Sequence, residues 1–499
     1  MNAPREQDVI NGGATATTVR TVQDYVGGKW IDSNATTFGD VHNPATAEKI
    51  GRVPLGGAAD VDRAVRAAQA AFPAWRAIPP VQRARYLFKL RNIMEDRFED
   101  LARTVTLEHG KTLDESRSSV RRAIENVEVA CAIPTTMQGA ALEDIATGID
   151  CESIRQPLGV FAAITPFNFP AMVPLWFLPH AVALGNTFIV KPSERVPLSQ
   201  QKIFEMLHET GFPPGVVNMV NGAREAVDAL LDHPGISGYS FVGSTPVARH
   251  VYQRAAENGK RAQALGGAKN FVLIMPDADL GRACEISTDS AFGCAGERCL
   301  ANSAVIAVGD SYAKVRDGLL ANARNIRVGY GIEPGVTMGP VISAQHRDKV
   351  VGYIETGLKE GAQLILDGRG FRHPQYPDGY WLGPSLFDEV TPEMVIAREE
   401  IFGPVLCLIR AADFDEACAI VNAHHQGNAA SIFTTSGKWA REFRYRVAPS
   451  MLGINIGVAA PMAFFPFGGA KASFFGDTKA HGRECLDFFT DKKVVISRW

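Results

Sequence analysis

A largely parallel α/β fold built from at least two units is what this chain predicts, and three observations predict it. The chain has 499 residues with 46% hydrophobic content, more than one compact core accommodates. Short apolar runs alternate with helix-length amphipathic tracts, first over residues 159–264 and again from Phe271 to Ile409. A β-prone run, Lys493–Ser497, lies at the end of the chain.

The elements follow from the pattern. Residues 1–19 are polar and small, offer little to bury, and read as a flexible N-terminus. Tyr25–Trp30 reads as a first strand. From Asp60, apolar residues recur at Val61, Ala64, Val65, Ala68 and Phe72, the spacing of one helical face. Two more helical tracts run from about Pro80 to Leu107 and from about Lys111 to Cys131. Strands are predicted at Gly159–Ile164, Thr187–Lys191, Val216–Val220 and Gly238–Val242, with helices at Ser199–Thr210 and Glu225–Asp232 between them. The stretch Gly159–Val190 carries no charged side chain and is long enough to cross a bilayer. Its four prolines, at 166, 170, 174 and 179, would break a lipid-embedded helix, so it is predicted to be a buried strand, loop, helix and strand.

Composition excludes some function classes. Charged residues make up 21% and the formal net charge is -3, which gives no footprint for nucleic acid or an anionic membrane. Eight cysteines show no CxxC pair and no zinc-like spacing with histidine, which predicts reduced thiols, a cytoplasmic setting and no metal site. His424 and His425 are adjacent but read as a loop or helix end, and Cys294 as a small core residue.

The chemistry concentrates in F-G-C-A-G-E-R-C at Phe292–Cys299. Cys299 follows a small-residue loop beside Arg298, whose charge is expected to lower the thiol pKa and favour a nucleophilic thiolate. Taken alone, such a cysteine is more often a buried structural residue. Other segments point the other way: I-T-P-F-N-F-P at Ile164–Pro170, K-P-S-E at Lys191–Glu194, F-V-G-S-T at Phe241–Thr245, L-G-G-A-K-N at Leu265–Asn270, E-E-I-F-G-P at Glu399–Pro404 and F-P-F-G-G at Phe465–Gly469. In this order around Cys299, they resemble the aldehyde dehydrogenase superfamily over roughly Tyr25 to Trp499.

That resemblance implies an NAD-dependent enzyme with Cys299 as nucleophile and Asn168 as side-chain donor to the oxyanion formed on the aldehyde. It implies a cofactor site of Thr165, Phe167, Lys191, Glu194, Gly243, Ser244, Glu400 and Phe402. Glu194 would accept from both ribose hydroxyls and repel a 2′-phosphate, which favours NAD over NADP. Gly243 and Ser244 open a helix whose N-terminus suits a pyrophosphate. The implied fold has a Rossmann-like NAD domain (20–134 and 155–264), a catalytic α/β domain (265–462), and an oligomerisation flap with the C-terminal segment (135–154 and 463–499). A homodimer or homotetramer is expected.

Ala264 narrows the resemblance. Hydrolytic members carry a glutamate here as general base for water; this chain reads A-L-G-G-A-K-N. With G-E-R-C and P-F-N-F-P-A-M-V-P-L-W, it is similar to the methylmalonate-semialdehyde dehydrogenase branch, which transfers the acyl group to coenzyme A. Small acidic aldehydes, methylmalonate and malonate semialdehyde, are then the expected substrates, giving propionyl-CoA and acetyl-CoA after loss of carbon dioxide. Arg122 and Arg298 are the expected carboxylate ligands; Arg122 in isolation is equally a solvated helix-face residue. The chain departs from the branch at Phe271, where histidine is common. A hydrolytic dehydrogenase of another small anionic aldehyde, or a non-enzymatic NAD-binding homologue, are the alternatives.

Overall fold

The computed structural model describes residues 19–499; the expected flexible N-terminus lies almost wholly outside them. Among the described residues, two large sheets carry the architecture. The first has eight strands in the order Lys29–Ile31, Asp24–Val26, Val217–Met219, Thr187–Lys191, Val160–Ile164, Gly238–Val242, Arg261–Leu265 and Phe474–Phe475. The five central strands are parallel. Their all-buried Val/Ile/Phe/Ala runs are what a sheet covered on both faces requires.

Strand order reverses beside Val160–Ile164: the chain moves outward to Thr187–Lys191 and Val217–Met219, then returns to the other side at Gly238–Val242. Such a switch point opens a crevice at the carboxyl ends of the strands. Thr165, Lys191 and Gly243 all lie at those ends.

The second sheet has seven strands, ordered Gln363–Leu366, Ser385–Asp388, Val405–Ala411, Asn302–Val308, Asn270–Ile274, Ala429–Phe433 and Met451–Ile454, parallel except at the Gln363–Leu366 edge. A three-stranded antiparallel sheet, Ala140–Ala146, Ile149–Pro157 and Thr490–Arg498, stands apart. Register places Ala140, Leu142, Cys151, Ser153, Val494 and Ile496 on one of its faces.

Three sequence expectations need correction. Tyr25–Trp30 is two strands folded into a hairpin, because Gly27 and Gly28 take positive φ (61° and 79°) that turn the chain back. The tract from Pro80 to Leu107 is two helices, Pro80–Asp96 and Phe98–His109, broken where Arg97 leaves helical geometry (φ -109°, ψ 20°). Both halves keep the same apolar period, so the break is invisible to a pattern of hydrophobic spacing. The third, the thiolate expected at Cys299, is a matter of the site. The apolar stretch Gly159–Val190 folds as expected, with the helix Pro174–Ala183 between its strands. Among the described residues no helix is long and apolar enough to cross a membrane.

Candidate active site

Two loops and one helix end build the site. The helix Leu280–Phe292 ends at Gly293, and the chain then passes through three successive left-handed residues, Cys294 (φ 49°), Ala295 (φ 52°) and Gly296 (φ 73°). At Gly296 a side chain is impossible: a Cβ would lie 2.0 Å from the carbonyl oxygen of Gly403. The loop that leads to Cys299 is thereby packed directly on the loop that carries Glu400 and Phe402.

Cys299 is half-buried at the end of this loop. Its carbonyl accepts from the side-chain amides of Asn270 and Asn428, each at 2.9 Å, so two asparagines at the entry to adjacent strands pin its backbone. Burial pushes the thiol up to about 12, and the nearby Glu400 carboxylate adds to the rise. Arg298 lowers this thiol, as expected, but burial outweighs it, so the thiolate is not favoured in the free enzyme. The Arg298 guanidinium is spent elsewhere: Nη2 donates to Glu115 Oε1 at 2.8 Å and Nε to Cys294 Sγ at 3.2 Å.

Glu115 is a residue that sequence reasoning passed over. It forms a capping box with Thr112 at the start of the helix Leu113–Cys131. Its Oε1 also accepts from the Cys294 N–H at 2.6 Å, so it joins this helix to the loop that leads to Cys299. The T-L-D-E spacing announced the cap but not the second role.

Asn168 lies in the loop after Val160–Ile164 and is buried. One N–H of its side-chain amide donates to the Glu297 backbone carbonyl at 2.9 Å, and the Asn168 backbone carbonyl accepts from the buried Lys111 ammonium at 2.6 Å. The second amide N–H has no partner among the described residues. Phe167 meets the Phe402 ring edge-on at 5.8 Å. Phe402 sits at φ 61°, a conformation a bulky side chain rarely takes, and its carbonyl accepts from His346 Nε2 at 2.6 Å.

A cavity of about 490 Å³ opens in front of Cys299. Arg122, Arg298, Trp176 and Phe169 line it, together with three carboxylates, Asp114, Glu115 and Glu125. Each arginine has an acidic partner: Arg122 Nη1 lies 3.2 Å from Glu125 Oε2, and Arg298 pairs with Glu115. Both still have unused donors in their planar forks.

On the other side, at the switch point, Ser244 caps the helix Thr245–Glu257 with no side-chain bond to its amides, which leaves them available to an anion. Lys191 is buried, donates to the Gly222 carbonyl at 2.8 Å and lies 3.6 Å from the half-buried Glu194. The Thr165 hydroxyl donates to the Lys191 carbonyl at 3.3 Å. Glu400 accepts from the Ala268 N–H at 2.9 Å, and burial pushes its carboxyl up to about 7. Ala264, fully buried in the strand Arg261–Leu265, carries no functional group. Among the described residues no cluster could hold a metal ion. His424 caps a helix end, where its Nδ1 accepts from the Gln426 N–H.

The aldehyde dehydrogenase family model matches residues 30–495. The chain belongs to the aldehyde dehydrogenase family. Malonate-semialdehyde dehydrogenase 1 of Geobacillus kaustophilus (strain HTA426) is 49% identical to this aldehyde dehydrogenase over 478 residues, 96% of this chain and 98% of that one. Among solved structures, a methylmalonate-semialdehyde dehydrogenase of Sinorhizobium meliloti 1021 complexed with NAD superposes with a TM-score of 0.95 at 42% identity, covering 97% of this chain and 99% of that one. That of Oceanimonas doudoroffii gives a TM-score of 0.95 at 43% identity, over 96% and 99%.

Proposed function

We propose that this aldehyde dehydrogenase oxidises malonate and methylmalonate semialdehyde with NAD and passes the acyl group to coenzyme A. The observation that carries the reading is the strand end Ala264–Leu265: neither side chain is a carboxylate, and Leu265 packs in the same core as Cys299, so this segment offers water no general base. The malonate- and methylmalonate-semialdehyde dehydrogenases of similar sequence support it.

In this reading Cys299, once deprotonated, attacks the aldehyde carbon. The free N–H of Asn168 and the backbone N–H of Cys299 hold the oxyanion. Arg122 and Arg298 use their remaining donors for the substrate carboxylate. Lys191 and Glu194 hold the adenosine ribose, and the N-terminus opened by Gly243 and Ser244 holds the pyrophosphate. Thr165, Phe167, Glu400 and Phe402 hold the nicotinamide end. Bound NAD supplies the hydride acceptor, and the oxidised carbon is left as a thioester on Cys299. The coenzyme A thiol, which ionises more readily than water, displaces Cys299. Loss of carbon dioxide from the β-carboxylate leaves acetyl-CoA or propionyl-CoA.

A hydrolytic reading draws support from Glu400, a carboxyl pushed up to about 7 that acts electrostatically on Cys299 and could activate water. The two readings part in one experiment. NADH formation is followed with each semialdehyde, with and without coenzyme A, and products are identified. Sustained turnover only with coenzyme A, yielding acetyl- or propionyl-CoA, is expected; sustained turnover to a free acid without it overturns the acylating reading.

The exposed apolar face of the three-stranded sheet, with Leu142, Val494 and Ile496 each more than 60% exposed, supports assembly into a homodimer or homotetramer. Eight free cysteines support a reducing compartment such as the cytoplasm.

A further inference from the structure

Glu297 is completely buried, and the chemistry above makes no use of its side chain. A carboxyl in that environment is costly to keep unless its contacts return something. Its Oε1 accepts from the Ile342 N–H at 3.1 Å and lies 3.4 Å from His346 Nε2. Its Oε2 has no hydrogen-bond partner and lies 3.8 Å from His109 Nε2, which also has none. His109 Nδ1 is the acceptor for the Lys111 N–H at 3.3 Å, so in the neutral ring the proton sits on Nε2, facing Glu297.

Glu297 thus stands between the two halves of the site. Its backbone carbonyl takes one N–H of Asn168, while Lys111 holds the other end of the same residue. Through His346 its side chain reaches the carbonyl of Phe402, the residue held at positive φ. It also directly follows the three left-handed residues of the nucleophile loop, a conformation that persists only where neighbours over-determine it.

We infer that Glu297 is a positioning residue: its side chain anchors the strained loop to the Ile342 backbone and so fixes the carbonyl that aims the Asn168 amide at the oxyanion. The inference rests on the proposed roles of Asn168 and Cys299. Burial holds the Glu297 carboxyl well above the ordinary range, in its neutral form, which an amide imitates closely.

The test is a double-mutant cycle on kcat with saturating malonate semialdehyde, NAD and coenzyme A, using Glu297→Met, Glu297→Gln, Asn168→Ala and Glu297→Met with Asn168→Ala. Alkylation of Cys299 by iodoacetamide, a displacement that forms no oxyanion, is measured alongside. Glu297→Met is expected to lower kcat by about 30- to 100-fold. Alkylation and KM for NAD are expected to stay within about threefold. Glu297→Gln is expected to recover most of the loss, and Glu297→Met to cost little more once Asn168 is alanine. Glu297→Leu substitutes for the Met variant if that protein does not fold.

If Glu297→Met loses alkylation and kcat together, or adds its full factor on top of Asn168→Ala, Glu297 does not act through Asn168. An Asn168→Ala enzyme with undiminished kcat would instead overturn the oxyanion assignment itself. The two failures are therefore distinct.

Discussion

Cys299 is buried enough to keep its proton, and its backbone is fixed more firmly than its side chain is activated. Asn270 and Asn428 hold its carbonyl, while Glu400 opposes negative charge on its sulfur. Cys299→Ala is expected to reduce NADH formation by at least about 10³-fold while leaving NAD binding intact, measured by steady-state rates and calorimetric titration. Survival of activity would remove Cys299 as the nucleophile. At the carboxylate end, Arg122→Ala is expected to raise KM for malonate semialdehyde about tenfold or more, with KM for propanal unchanged, because a charge-assisted bond is lost only for the acid. Equal changes for the two aldehydes would make Arg122 a structural partner of Glu125. The motif around Cys299 was legible in the sequence; the state of its thiol was not, because desolvation and the direction of a guanidinium are properties of the packed site.

Among the elements, the three-stranded sheet makes a prediction about assembly. Its strand Thr490–Arg498 pairs along its length with Ile149–Pro157 and turns Val494 and Ile496 to the same side as Leu142. Replacing Val494 with Glu and Ile496 with Lys puts charge on that face at two side chains that are each more than 60% exposed. The expected outcome is a smaller sedimenting species with an unchanged circular dichroism spectrum; an unchanged mass would place the interface elsewhere. The C-terminal β-prone run was readable from its composition, but its partners are more than 300 positions earlier in the chain. The Tyr25–Trp30 hairpin and the break at Arg97 show a different gap. Hydrophobic period locates an element, whereas turns depend on single backbone angles that it does not encode.

For the whole molecule, stability should depend on pH through buried acids near the switch-point sheet. Asp24 is fully buried in the strand Asp24–Val26; burial pushes it up to about 7, against the lowering effect of its bonds from Asn221. A raised folded-state pKa means that the folded protein binds this proton more tightly. The stabilisation is present in full below the ordinary carboxylate range and is lost as pH rises through about 7. Thermal melts of wild type and Asp24→Asn between about pH 4 and pH 8 check this. The wild-type midpoint should fall relative to the variant as pH rises; parallel curves would show that Asp24 does not titrate in this range.

The sequence alone determined the alternation of strand and helix, the buried apolar stretch before the K-P-S-E segment, and the ordered motifs around Cys299. These depend on local spacing and on residue types with few substitutes. Only the tertiary structure decided that Glu115 and Cys294 occupy the Arg298 guanidinium, that two asparagines clamp the Cys299 carbonyl, and that Glu297 and Lys111 meet at Asn168. Their partners lie far apart in the chain, and the energy of a buried charge or amide depends on what the fold sets beside it.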